Sequence, residues 1–275
     1  MTYASVMITL ELGRSNTRLL NVAHDLAEQF DADVIGIAVS QPRQMIYGEA
    51  FVSSGTIEQD VMEADATLEV AGNEFRTAFK SYPHNIEWRA ATILQTTADY
   101  VARQARCASL VVTGAQSEQI WRTNSFINKG DLVLKAGRPV LIVPEAAESF
   151  VSEHILVAWK DTREARRSTL DALPLLKKAA HVTVVEMSTH SGLVDAQHSV
   201  DDVAKWMKQQ GIHAEPMVTQ ATEGDTHWLD TIAQRQGADI VVAGAYGHSR
   251  LREWVFGGFT RTLLLPINRF SFLSH

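Results

Sequence analysis

Short apolar runs alternate with longer amphipathic stretches along most of this chain. Apolar runs of roughly four to eight residues suit buried strands, and a 3.6-residue periodicity is typical of helices. Strands that alternate with helices in this way form βαβ units, whose strands lie parallel in one sheet. In the C-terminal half the pattern predicts strands at 155–159, 181–187, 212–219, 239–243 and 270–274, and helices at about 163–180, 199–210, 226–236 and 258–266.

The same unit occurs twice. Gly114 and Gly244 each follow an apolar strand of similar sequence and lie 130 positions apart. The opening strands at 6–10 and 155–159 are 149 positions apart, a larger offset than that of the two glycines, so the first unit is longer by about 18 residues. The extra residues fall within 41–58, a stretch that contains Gly, Pro and Ser and is predicted to be a loop. The first unit is predicted to contain strands at 5–10, 33–39, 86–92, 109–113 and 139–143, and helices at 16–30, 57–81, 96–106 and 127–136.

A polar segment led by proline, 144–149, separates the two units. Such segments are typical of domain boundaries, so we place the domains at 1–147 and 148–275. In the second unit, Asp161 is a good N-cap for the first helix. Pro174 falls inside that helix and is predicted to kink or split it.

Composition narrows the class of protein. The chain has 275 residues, is 45% hydrophobic and 21% charged, and carries a net charge of −7 with a pI near 5.8. This balance is typical of a globular protein and argues against nucleic-acid or anionic-membrane partners, which select clustered cations. No basic, apolar leader precedes the first strand, so we expect a cytoplasmic protein. The single Cys107 excludes an intramolecular disulfide and is predicted to be a small core residue.

Glycines punctuate the segment after the fourth strand of the second unit. Gly244, Gly247 and Gly257 follow the spacing Gly-x2-Gly-x9-Gly, between the predicted strand at 239–243 and the predicted helix at 258–266. Backbone amides in such a loop and at a helix N-terminus converge on one point and attract an anion. Glycine lets the main chain approach a phosphate closely.

This spacing resembles the nucleotide-binding motif of the universal stress protein family, Gly-x2-Gly-x9-Gly-(Ser/Thr). Gly258 stands where that family carries a hydroxyl, and Thr260 offers one two positions later. Residues 131–144 also resemble the end of a universal stress domain, so the likeness covers the chain twice. It implies an α/β protein with two tandem open parallel-sheet domains, Rossmann-like and adenine nucleotide alpha hydrolase-like, each with strand order 3-2-1-4-5.

The resemblance also implies a nucleotide site at the carboxyl ends of strands one and four of the second unit. Ala158, Trp159 and Val185 would border the base and ribose. The phosphates would lie against the glycine loop, where His248 either donates to them or faces solvent. The implied nucleotide-binding residues are Ala158, Trp159, Asp161, Val185, Gly244, Gly247, His248, Gly257, Gly258, Phe259 and Thr260.

Two departures bear on this site. Binding members of the family carry an acidic residue just after the first strand, where this chain has Lys160, with Asp161 one position later. Asp161 either takes over that contact or only caps the helix. In the first unit Ser117 replaces the second glycine and no glycine occurs in 118–127, so we expect that unit not to bind nucleotide.

The implied function is a stress-response protein that binds ATP, ADP or AMP, with or without Mg²⁺, and has a signalling or protective role. A homodimer formed through the last strand is also expected, with protein partners that the sequence does not identify. The alternatives are an interaction scaffold without nucleotide, a protein that binds another small molecule in the same cavity, and a slow ATP hydrolase. The chain has no Gly-x-Ser-x-Gly, His-Glu-x-x-His or Cys-x-x-Cys motif, and its ten histidines are scattered, so we expect neither a dedicated enzyme nor a zinc site.

Overall fold

Strands and helices alternate throughout the computed structural model, which describes residues 2–41, 54–115, 127–220, 228–245 and 268–275. The order of elements agrees with the predicted βαβ pattern. In chain order the strands and α-helices are β1 (Ser5–Thr9), α1 (Thr17–Phe30), β2 (Asp33–Ser40), α2 (Ser54–Ala78), β3 (Ile86–Thr92), α3 (Thr97–Gln104), β4 (Leu110–Gly114), α4 (Lys129–Ala136), β5 (Val140–Val143), β6 (His154–Ala158), α5 (Arg163–Asp171), α6 (Leu173–Leu176), β7 (His181–Ser188), α7 (Leu193–Gln209), β8 (Ala214–Gln220), α8 (Trp228–Arg235), β9 (Ile240–Gly244) and β10 (Phe270–Ser274).

The first repeat places four parallel strands in the order β3-β2-β1-β4. Its central strands are buried along nearly their whole length, as expected of parallel strands covered by helices on both faces. Helix α2 packs closely on β2, because a Cβ on Gly36 would lie only 2.7 Å from the Phe75 ring. Gly36 therefore makes room for the largest fully buried side chain of this helix.

The second repeat contains the complete predicted order. Its strands run β8-β7-β6-β9-β10, all parallel, which is 3-2-1-4-5 in the numbering of the repeat. Strand β5, the last strand of the first repeat, pairs antiparallel with β10, with Phe272 opposite Leu141. Strand β10 therefore lies between β9 and β5. The sequence analysis expected a homodimer formed through a free last strand. Because β10 is paired on both sides, that edge is not free, and the homodimer remains a prediction.

Two compact units result from these contacts. One comprises Tyr3–Arg138 with Ala147–Phe150, and the other comprises Pro139–Ala146 with Val151–His275. The segment that carries β5 groups with the second unit because it is hydrogen-bonded to β10. The boundary between residues 147 and 148 remains a prediction.

Local geometry changes two predictions and confirms a third. Helix α5 begins after Thr162, whose hydroxyl accepts a hydrogen bond from the Ala165 amide at 3.3 Å, so Thr162 and not Asp161 is the N-cap. Cys107 is exposed rather than in the core, since α3 ends in a tighter 3₁₀ turn that changes which residues face inward. Pro174 splits the predicted helix into α5 and α6, as expected.

Among the described residues, no helix is long and apolar enough to cross a membrane.

Candidate functional site

The carboxyl ends of β6 and β9 lie side by side in the second repeat. Ala158 pairs with Ala243, and Gly244 follows directly. Strands β7 and β8 continue the sheet on one side of this junction, and β10 continues it on the other. The chain order thus reverses here, and such switch points form the ligand crevices of open α/β sheets.

Gly244 is the point at which helix α5 contacts the sheet. A Cβ at this position would lie 2.5 Å from the Ala165 nitrogen and 2.5 Å from the Glu164 carbonyl carbon. Both are backbone atoms of the first turn of the helix and have little freedom to move. The glycine therefore lets the N-terminal turn of α5 approach the end of β9. This packing role is separate from its predicted role in binding a phosphate.

Trp159 and Val185 are held firmly at the ends of β6 and β7. The Trp159 amide donates to the Val185 carbonyl at 2.8 Å. The Trp159 indole Nε1 donates to Ser199 Oγ on α7 at 2.9 Å. Val185 is fully buried and Trp159 is 8% exposed, so both side chains belong to the core next to the ends of β6 and β9.

Glu186 is the residue of this region that the sequence analysis missed. Ser199, which accepts from Trp159, also hydrogen-bonds the Glu186 carboxylate. Burial raises the pKa of the Glu186 carboxyl, and the charge of Asp161 adds to the rise, while the Ser199 hydrogen bond and Lys160 act in the opposite direction. Its Oε2 atom is buried and has no hydrogen-bond partner in the part of the chain that the structure describes. The available signal was a single acidic residue at the end of the apolar strand 182–185.

Asp161 and Lys160 lie on the exposed connection between β6 and α5. The Asp161 carboxylate forms an ion pair with Arg166 at 2.8 Å, and its side chain is 67% exposed. The structure therefore places Asp161 in a surface ion pair rather than at the helix cap. Its contact with a nucleotide remains a prediction.

Ser274 and His275 lie next to Ala245, on the β10 side of the junction. The Ala245 amide donates to the Ser274 carbonyl at 2.8 Å, and His275 Nδ1 lies 3.0 Å from the Ala245 carbonyl oxygen. Nearby Glu164 is buried, which acts to raise its pKa. A backbone hydrogen bond, Arg163 and His275 outweigh that burial and hold the pKa below its usual range. A carboxylate at the first turn of α5 is thus kept ionised beside Gly244.

The rest of the predicted nucleotide site falls outside the described residues, and the phosphate cradle remains a prediction. This applies to Gly247, His248, Gly257, Gly258, Phe259 and Thr260. Within the described ranges, no group of three or more His, Cys, Asp or Glu side chains is arranged to hold a metal ion.

Charged side chains lie at the corresponding junction of the first repeat. Glu11 follows β1, and its carboxylate lies 3.0 Å from Arg14 and 3.9 Å from the Lys129 ammonium group. Lys129, the first residue of α4, is 3% exposed. Among the described residues, the nearest atom to a Cβ on Gly114 is Glu11 Oε1, at 3.9 Å, and no helix backbone lies within 4 Å of it. The two repeats therefore differ at the same place in the fold.

Comparisons with known proteins rest on structure. No protein-family model matches the sequence. None of the curated proteins matches it either. A universal stress protein from Archaeoglobus fulgidus DSM 4304 superposes with a TM-score of 0.74 at 12% identity, covering 98% of this chain and 95% of its own.

Two further structures cover both repeats. The functionally unknown protein PA1789 from Pseudomonas aeruginosa PAO1 gives a TM-score of 0.65 at 12% identity, covering 99% of this chain and 92% of its own. A provisionally named universal stress protein from Pseudomonas aeruginosa UCBPP-PA14 gives 0.61 at 15% identity, covering 99% and 93%. At these identities the likeness establishes the fold, and the predicted tandem universal stress fold is confirmed.

Proposed function

We propose that this chain is a tandem universal stress protein whose second repeat binds an adenine nucleotide and acts in a stress response. The observation that carries the proposal is the position of Gly244, the first glycine of the Gly-x2-Gly-x9-Gly segment. It ends β9 beside the end of β6, at the point where the strand order reverses. A glycine-rich anion loop that starts there would face the crevice where such sheets bind ligands.

The nucleotide would span this crevice from β7 to the glycine loop. Its nucleoside end would lie by Ala158, Trp159 and Val185, of which Trp159 and Val185 are buried. Its phosphates would meet the amides of the loop that follows Gly244, with Mg²⁺ as a possible companion of a triphosphate. Thr260 and His248 would supply side-chain donors.

Binding rather than catalysis is the proposed activity. Phosphoryl transfer selects a metal ion and a residue that positions the attacking water. Asp161, the carboxylate nearest in sequence to the end of β6, is engaged in a surface ion pair with Arg166. Mg²⁺-dependent conversion of ATP that is lost in Asp161→Ala would support the slow hydrolase instead.

The experiment compares matched substitutions in the two repeats. Isothermal titration with ATP and Mg²⁺ is expected to give one site per chain. Gly247→Val would fill the cradle with a branched side chain and lower affinity by at least tenfold, an order-of-magnitude loss worth about 1.4 kcal/mol. Ser117→Val, which introduces the same side chain at the aligned position of the first repeat, is expected to bind as the unaltered chain does.

Each outcome has a clear meaning. Full affinity in Gly247→Val would refute the phosphate cradle. If the unaltered chain neither retains nucleotide on purification nor melts at a higher temperature with millimolar ATP, the scaffold alternative replaces this proposal. Exposed Lys160, at the position where the resemblance leads us to expect an acidic residue, is the observation that favours that alternative.

A further inference from the structure

Three histidines that are far apart in the sequence lie side by side at the amino ends of neighbouring strands. His154 begins β6 and pairs in register with His181, which begins β7. The centroids of these two rings are 4.4 Å apart. His213 directly precedes Ala214 of β8, the register partner of Val182. It therefore lies beside His181, and the sheet brings the three imidazoles into one line, the histidine row.

The histidine row lines an open cavity of about 600 Å³ beside helix α7. Volumes of roughly 300–1,000 Å³ are typical of small-molecule sites. The other charged residues of the lining come from α7 and β8: Asp201, Lys205, Lys208 and Glu215. The cavity lies at the amino ends of β6 and β7, whereas the proposed nucleotide crevice lies at their carboxyl ends, near Ala158 and Val185. The two sites are therefore separate.

Backbone hydrogen bonds fix the strand starts that carry the histidines. The His154 amide donates to Asp239 Oδ2 at 2.8 Å, and its carbonyl accepts from the Asp239 amide at 2.9 Å. The His181 amide donates to the Glu153 carbonyl at 2.9 Å. The Asp239 carboxylate, just before β9, is thus engaged by the main chain. Side chains on rigid strands hold a binding geometry better than side chains on loops do.

The charge of this cavity depends on its histidines. The two lysines and the two carboxylates of the lining balance each other. Lys205 forms an ion pair with exposed Asp202 at 3.2 Å. Asp201 accepts a hydrogen bond from Gln197 at 3.0 Å. Histidine is the side chain that gains a positive charge as pH falls through the physiological range. Protonation of the histidine row therefore gives the lining an excess of positive charge.

We propose that this cavity binds a small molecule with a doubly charged anionic group, such as a phosphate monoester, and binds it more tightly as the histidines gain charge. The imidazole N–H groups and the Lys208 ammonium group donate hydrogen bonds to the anionic oxygens, and charge-assisted bonds of this kind are the strong ones. The site uses no part of the glycine loop, so the inference does not rest on the proposed nucleotide site.

Sulfate is the probe, because its charge stays constant while the histidines titrate. Titrations of the Gly247→Val chain keep the predicted phosphate cradle from contributing, and chloride at equal ionic strength is the reference. At about pH 6, NMR is expected to show saturable shifts of the imidazole resonances of the histidine row, with one sulfate per chain. The resonances of His24 and His84 in the first repeat are expected not to move. At about pH 8, sulfate affinity is expected to be about tenfold lower.

Variants with opposite expected effects test the contacts. His181→Ala and Lys208→Gln each remove a donor and are expected to weaken sulfate binding by about threefold to tenfold. Glu215→Gln removes an opposing carboxylate and is expected to strengthen it. His198→Ala removes a histidine of α7 outside the cavity and, as the matched control, is expected to leave binding unchanged. All four positions are exposed, so each variant is expected to fold, and an unchanged Tm verifies it.

Three results would overturn the inference. They are no saturable shift of the histidine row at about pH 6, equal sulfate affinity at the two pH values, and a loss of binding in His198→Ala as large as that in His181→Ala. Sulfate binding that needs added Zn²⁺ would also refute it, because the histidines would then be metal ligands. If the unaltered chain does not bind ATP while sulfate still shifts the histidine row, only the nucleotide proposal is refuted.

Discussion

Replacing Gly244 with alanine tests how the sheet and the first helix of the second repeat fit together. The new Cβ would lie 2.5 Å from two backbone atoms of α5, the Ala165 nitrogen and the Glu164 carbonyl carbon. Real Cβ atoms keep at least 3.4 Å from most neighbours, so the helix or the strand end must move by about 0.9 Å. Neither atom belongs to a flexible side chain, and the strain cannot be relieved by a rotamer change.

The expected destabilisation follows from the cost of overpacking. Forcing an extra carbon into a well-packed contact costs about 1–3 kcal/mol. For a cooperative unit of about 150–250 residues each kcal/mol lowers Tm by about 2–4 °C, so Gly244→Ala is expected to lower Tm by about 2–12 °C. Hydrogen exchange should accelerate in α5, because the displaced first turn loses its support on β9.

Gly114→Ala is the control that the repeat supplies. It makes the same substitution after the matching strand of the first repeat, where the nearest atom, Glu11 Oε1, lies 3.9 Å from the added carbon. Neither glycine has a positive φ, so neither variant places an alanine in the left-handed region. Gly114→Ala is expected to be neutral, or to stabilise by up to about 1 kcal/mol through the unfolded state. Equal Tm values for the two variants would show that the contact between Gly244 and α5 does not constrain the fold.

Two further predictions concern the same region. Thr162→Ala removes the N-cap of α5 and should lower the free energy of unfolding by about 1 kcal/mol, whereas Asp161→Ala removes an exposed ion pair and should change it by less than about 0.5 kcal/mol. The reverse order in urea titrations would restore Asp161 as the cap. Because burial raises the pKa of Glu186 above 4.5, the folded state holds that proton more tightly, and stability should fall as pH rises from 4.5 through the raised pKa. Melting curves should show the advantage of Glu186→Gln growing over that window; a constant difference would contradict the assignment.

The fold could be predicted because apolar strands and amphipathic helices alternate regularly along the sequence. Strands buried on both faces read as apolar runs whatever their neighbours are, and the duplication allowed each half to support the interpretation of the other. Boundaries were less certain where two adjacent residues had similar chemistry. Asp161 and Thr162 are both good N-caps, and only the first residue with helical geometry decides between them.

The candidate site was predictable only in part, since its properties depend on which strands are neighbours. Glu186 follows an apolar strand as an unremarkable acid in the sequence. Its environment arises when β7 lies beside β6 and one of its carboxylate oxygens is buried. Gly244 likewise belonged to a recognisable motif, but its contact with the first turn of α5 is a distance in space that the spacing of glycines does not encode.

The difference between the two junctions bears on how many ligands a chain can hold. In the first repeat the Glu11 carboxylate lies over the end of β4 and is neutralised by Arg14 and by buried Lys129. A phosphate arriving there would meet the negative charge of Glu11 and would have to disturb its contact with Lys129, which is 3% exposed. In the second repeat the unpaired acid lies one strand away from the junction, at Glu186, and the end of β9 carries a glycine in contact with a helix N-terminus. The two junctions therefore differ in charge and packing: Glu11 with Arg14 and Lys129 lies at the first, and ionised Glu164 lies beside Gly244 at the second. A stoichiometry of one nucleotide per chain stays a prediction.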